Sequence, residues 1–184
     1  DAYVTPSVGE LLYLDEEVYR PLVELVFEAN DRGKLVDPTS PELAGVHLAA
    51  SLFDYDIAIL NDPLNDERFV ILSESPDASP GRYWGTQVFR LGGGQPFVVE
   101  VPRPLSENTT FEAGLDLFER LDAMVLVIAG AHASCNRDRS SDVVLVRNKT
   151  SVFNLVNQVV LRERRGAPLL VVQVRALGPR PGLP

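Results

Sequence analysis

A chain of 184 residues, 45% hydrophobic and 23% charged, is long enough for one well-buried core and short for two, and this composition excludes disordered and collagen-like classes. Its net charge of −9 repels phosphate backbones, and no Lys/Arg run is punctuated by aromatics, which argues against nucleic-acid binding. The single cysteine, Cys135, excludes an internal disulfide and a thiolate metal cage, and no apolar run approaches the roughly 18 residues of a membrane span.

Aromatic residues make up only 8% of the chain, so the expected core is mostly aliphatic. Charge is spread unevenly: residues 1–67 hold 15 acids against 3 bases, and residues 68–184 hold 11 acids against 14 bases. An acidic end of this kind suits a basic partner or a solvated face. The start at Asp1, without a methionine or signal-like segment, suggests a processed chain or one cut from a longer protein. The Pro-rich close from Gly178 to Pro184 reads as a linker leaving the domain. The expected organisation is therefore one domain over 1–178 and a tail over 179–184. The compartment is left open, with an exported or membrane-tethered parent protein among the options.

In chain order, Asp15-Glu16-Glu17 predicts the N-cap and first turn of a helix reaching Arg32, with Gly33 as its stop and Leu22, Leu25, Val26 and Ala29 as its apolar face. Ser40-Pro41-Glu42 starts a second helix ending near Phe53, which completes an N-terminal helix pair. The period then changes. Tyr55–Leu60, Phe69–Leu72, Gln87–Leu91 and Phe97–Val101 are short β-rich runs separated by turn residues such as Asn61-Asp62-Pro63 and Gly92-Gly93-Gly94. Thr109-x-x-Glu112 reads as a capping box for a helix to about Leu121, followed by the apolar strand Met124–Ala129, a helix near Ser151–Arg164 and a last strand at Leu169–Val174. The runs Val125–Ile128 and Leu169–Val172 lack polar alternation, which predicts strands buried on both faces. The fold class that follows is α/β: a layered fold with a mixed central sheet covered by helices.

Ligands in such sheets bind beyond the carboxyl ends of strands, so each strand end is a candidate. Glu100 is a carboxylate inside an apolar run and needs a partner; Arg103, between two prolines, is the nearest. The pair is either structural or an anion-binding feature. His132 follows Met124–Ala129 through small residues that expose the imidazole, a group suited to proton transfer or metal binding. His47, with Leu43, Val46 and Ala50, reads as a core histidine. The long polar connection Ala133–Lys149 carries Arg137, Arg139 and Asp142, a mixture able to hold a carboxylate or phosphate by bidentate arginine contacts or simply to be solvated. Asn154, Asn157 and Gln158 lie opposite the apolar stripe of the following helix and are candidates to line a cleft. No Gly-x-Ser-x-Gly elbow, His-Glu-x-x-His or Walker-type loop is present.

The succession Phe97-Val-Val-Glu-Val-Pro-Arg103-Pro, Val125-Leu-Val-Ile-Ala-Gly-Ala-His132 and Ser151-Val-Phe-Asn154-Leu-Val-Asn157 resembles zinc amidohydrolases of the N-formylglutamate and poly-γ-glutamate hydrolase type, over about 60 residues. The resemblance implies a His after the proline at the first strand end, further His and carboxylate zinc ligands, and an acidic side chain that activates water. Here the first position is Arg103, which stays protonated and cannot bind zinc. The expectation is a hydrolase-like domain that has lost metal and catalysis and needs no cofactor. It would bind an anionic small molecule or a partner protein chain through Arg103, Asp142, Asn154 and Asn157. The alternative is an active amide or acyl hydrolase on an anionic substrate, with His132 as base, Glu100 as its orienter and Arg103 as anion clamp.

Overall fold

A computed structural model describes residues 3–176; the expected tail over 179–184 lies outside them. The first helix begins earlier than the acidic triplet suggests. α1 (Val8–Tyr13) is capped by Ser7, whose backbone N–H donates to Glu10 Oε2 at 2.7 Å while its Oγ accepts from Glu10 N at 3.2 Å. This is the reciprocal arrangement of a capping box. A π-helical segment, Leu14–Tyr19, then leads directly into α2 (Arg20–Asp31). Pro21 in the first turn of α2 has no N–H to donate back, which accounts for the widened turn before it. Asp15 is therefore interior to a continuous helical run and pairs with Arg162 at 2.7 and 2.9 Å. α3 (Pro41–Ser51) starts where expected, with Ser40 Oγ accepting from Leu43 N.

The strands are β1 (Tyr55–Asp62), β2 (Glu67–Glu74), β3 (Thr86–Arg90), β4 (Gln95–Val101), β5 (Ala123–Ile128) and β6 (Leu170–Gln173). They form one mixed sheet in the order β1-β2-β3-β5-β4-β6. β1, β2, β3 and β5 pair antiparallel in succession, and β4 pairs parallel with both β5 and β6. α4 (Thr110–Arg120) connects β4 to β5, and α5 (Val152–Glu163) connects β5 to β6. The fold is thus a layered α/β domain.

The two sheet faces are covered unequally. One carries the main core, where Val70, Leu72, Phe89, Val98, Val125 and Val127 meet the helices through residues such as Leu14, Val26, Val46 and Val156. The other carries a smaller cluster of Phe69, Val99, Val101, Leu126 and Ile128 under Phe118 of α4. β5 is buried along its whole length, as its unbroken apolar run predicts. β6 is not: it lies at the sheet edge, and Leu170 is 56% exposed. The two runs look alike in sequence because apolar composition reports covered faces and says nothing about strand order.

α4 has no capping box. Thr109 sits in the left-handed region at φ 66° and makes no side-chain cap, while Thr110 Oγ1 donates to Glu107 O at 2.7 Å. The reversed backbone aims the Thr109 hydroxyl away from the helix N–H groups it would otherwise cap. The helix lies close on β4 through Gly114, where an added Cβ would run into Val101 Cγ2.

Candidate functional site

β4 passes its chain to α4 on one face of the sheet, and β5 passes its chain to α5 on the other. The carboxyl ends of these two parallel neighbours therefore form a topological switch point, where loops diverge and leave a crevice. Val101 O accepts from Ala129 N at 3.1 Å and closes the strands up to that point. Beyond it lie Pro102-Arg103-Pro104 on one side and Gly130-Ala131-His132 on the other.

Arg103 donates from Nε to Asp142 Oδ1 at 3.1 Å and from Nη2 to Oδ2 at 2.7 Å, a two-pronged ion pair. Asp142 is fully buried and accepts additionally from Arg139 Nη2 at 3.1 Å and Val144 N at 3.4 Å. The hydrogen bonds that Arg103 donates to Asp142 raise the Arg103 pKa above its ordinary value. Arg103 Nη1 reaches Glu107 at 3.4 Å, and Glu107 is held in turn by Arg175 at 2.8 Å and by Ala176 N at 2.8 Å. Hydrogen bonding from Arg175 lowers the Glu107 carboxyl. The strand-end network thus ties the β4 exit, the long polar loop and the segment after β6 into one unit, with every guanidinium nitrogen of Arg103 engaged.

The expected pairing of Arg103 with Glu100 does not form. Glu100 faces β6 across the parallel ladder and accepts from Gln173 Nε2 at 2.7 Å. Burial pushes its carboxyl up, and the Gln173 hydrogen bond offsets part of the rise. His132 is exposed, and its Nδ1 accepts from Ser134 N at 3.1 Å; no hydrogen bond joins it to Glu100 among the described residues. His47 also corrects its reading: it is exposed on α3, because the helix buries Leu43, Val46, Ala49 and Ala50 and turns residue 47 outward.

Asn154 and Asn157 do line a cleft, of about 380 Å³, between α5 and the loop residues Val143–Val146, with Lys149 at its margin. Asn154 Nδ2 donates to Asn148 O at 2.9 Å and fastens that loop. Asn157 Nδ2 donates to Phe153 O at 3.0 Å, and its buried Oδ1 has no partner among the described residues. Asp142 immediately precedes this loop wall, so the Arg103–Asp142 pair positions the cleft without lining it. The partners that sequence reasoning missed are Glu107, Gln173 and Arg175. The i, i+4 spacing of Arg103 and Glu107 was visible, but the two contacts from the β6 region required the strand order.

A zinc ion of the kind the resemblance implies does not fit these residues. Among the described residues no three His, Cys, Asp or Glu side chains gather in a metal-binding group, Arg103 stands where the first His is expected, and Asp142 is already held by two arginines. Compared with protein-family models, curated proteins and solved structures, the chain matches none. No described helix is long and apolar enough to cross a membrane.

Proposed function

We propose that this is a hydrolase-like domain that binds without reacting, and that its ligand, an anionic small molecule or a segment of a partner chain, enters the amide-lined cleft of α5. The observation that carries the reading is the state of Arg103. At the strand end where the resembling hydrolases place a metal ligand, this chain places a guanidinium and spends it on a buried carboxylate, so the pair fixes a loop and activates no water. His132 and Glu100, the two groups needed for acid–base work, have separate partners, Ser134 and Gln173. General-base catalysis needs a base oriented by its carboxylate within hydrogen-bond reach of the substrate. The cleft offers what recognition of an anion needs: the exposed Gln158 amide and the Lys149 cation.

The test is an assay of the purified chain, with zinc supplied, against N-formylglutamate and poly-γ-glutamate. No turnover above buffer is expected. Turnover that disappears in His132→Ala would overturn the reading and restore the active hydrolase.

A further inference from the structure

Among the described residues, several helices cover one face of the six-stranded sheet and only α4 covers the other. Along β1, Ile57 and Ile59 pack into the main core, so Ala58 and Leu60 point to the opposite face, where both are exposed. Ala58 is registered with Ile71, and Ile71 with Val88. Ile71 and Val88 are only half-buried, and Leu60 is 52% exposed beside Phe69. This leaves a strip of apolar side chains across β1, β2 and β3, flanked by α4 with Phe111 40% exposed.

Two cavities mark the ends of the same flank of α4. At its N-terminal end a groove of about 660 Å³ lies among Leu105, Phe111, Ile128 and Gly130. At its C-terminal end a bowl of about 780 Å³ lies among Leu60, Phe69, Glu67, Glu119 and Asp122. The trough between them has the length of α4, 11 residues, or about three turns at 1.5 Å per residue. Its rim is acidic: Asp62 at the β1–β2 hairpin, Glu112 and Glu119 on α4, and Asp122 in the turn after it. The nearby arginines are occupied, Arg120 by Asp116 and Arg90 by Glu67, the latter buried between Phe69 and Phe118. Glu112, Glu119 and Asp122 enter no salt bridge among the described residues.

We propose that this trough is the docking surface for an amphipathic helix of a partner protein that has a basic polar face. An apolar strip on an open α/β sheet face is the place where a covering helix packs, and the occupant's charge is set by the rim. A second copy of this chain would bring the same acidic rim against itself, and an anionic membrane or a nucleic acid would be repelled likewise. The partner lays Leu- or Ile-type residues at helical spacing on Ala58, Leu60, Ile71 and Val88, and Lys or Arg from its flanks reach the rim carboxylates. The proposal does not rest on the α5 cleft, which lies on the other face of the sheet, so either can fail alone.

The test uses the whole chain and two synthetic helical peptides of about four turns with one pattern of leucines, one carrying Lys and the other Glu at the polar positions. Fluorescence anisotropy is expected to show binding of the Lys peptide and none of the Glu peptide. Leu60→Glu should weaken the Lys peptide about tenfold or more, although it adds negative charge, while Leu48→Glu, on exposed α3 at the other face, should leave binding unchanged. Circular dichroism checks that both variants fold. The proposal is overturned by absence of Lys-peptide binding, by Leu60→Glu binding as well as or better than the parent, which is the signature of charge alone, or by equal losses in both variants. It is overturned equally if sedimentation shows a homodimer that Leu60→Glu dissolves.

Discussion

Glu100 shows how one residue's position in the sequence can announce a need without naming what meets it. A carboxylate between Val99 and Val101 must find a hydrogen bond, and it finds one from Gln173, 73 residues away, only because β6 lies beside β4. Its carboxyl is pushed up by burial. The folded state therefore keeps its proton at pH values where the unfolded chain has lost it, and stability falls as pH rises from the unfolded value through the folded one. Glu100→Gln removes the charge and keeps a side chain able to bond Gln173. The variant is expected to be more stable than the parent at pH 7, with the difference shrinking as the pH is lowered toward about 4. Urea denaturation at the two pH values measures this; a variant less stable than the parent at pH 7 would show that the ionised carboxylate is stabilising in place. Arg103 follows the same pattern, since proline on either side and the end of an apolar run mark it as fixed, while its partner Asp142 is 39 residues on.

Among the elements, regular helices and strands were legible from periodicity to within a few residues, except the first helical run, which starts at Val8 and not at the acidic triplet; the loop from 133 to 149 was legible only as long and polar. Its structure comes from hydrogen bonds around the buried Asp142 carboxylate: Asp142 held by Arg103, Arg139 and Val144 N, and Asn148 donating to the carbonyls of Arg139 and Asp142 at 2.6 and 2.8 Å. Removing one member of a buried ion pair typically costs about 3–5 kcal/mol. Arg139 remains beside Asp142, so Arg103→Ala should destabilise the domain by about 2–3 kcal/mol and loosen this loop. Arg103→Lys, which keeps the charge and loses the two-pronged geometry, should fall between. Urea unfolding with amide exchange over residues 136–149 tests both. A loss under about 1 kcal/mol would mean that Arg139 alone suffices. The start of α4 shows the limit of motif reading, because Thr109 and Glu112 have the spacing of a capping box and the left-handed backbone at Thr109 prevents it.

For the molecule as a whole, the N-terminal helices are a layer of the core. Leu14, Val18, Tyr19, Leu22, Val23 and Val26 are each at most 1% exposed, and Tyr19 Oη donates to Gln87 Oε1 on β3 at 2.9 Å. The segment before them is fastened too, with Trp84 Nε1 donating to Val4 O at 2.6 Å and Asn136 Nδ2 to Tyr3 O at 2.8 Å. Deleting residues 1–53 uncovers Val70, Leu72, Phe89 and Val125 on the sheet. The truncated chain is expected to be insoluble, or compact without fixed packing, as read by solubility and NMR dispersion. A soluble truncated chain with dispersed resonances would show that the sheet and its remaining helices fold without this layer.

The sequence by itself determined that the chain is an acidic α/β domain, where most of its elements run, and that Glu100 is a carboxylate needing a partner at a strand end, with Arg103 fixed beside it. Periodicity and desolvation are local properties and can be read locally. The tertiary structure alone decided that β5 inserts between β3 and β4, that Glu100 and Arg103 have different partners, and that, among the described residues, no helix covers the sheet face beside α4 over β1 to β3. Each of these depends on which strands become neighbours, and strand order is settled by packing energy summed over the whole sheet, which no single segment carries.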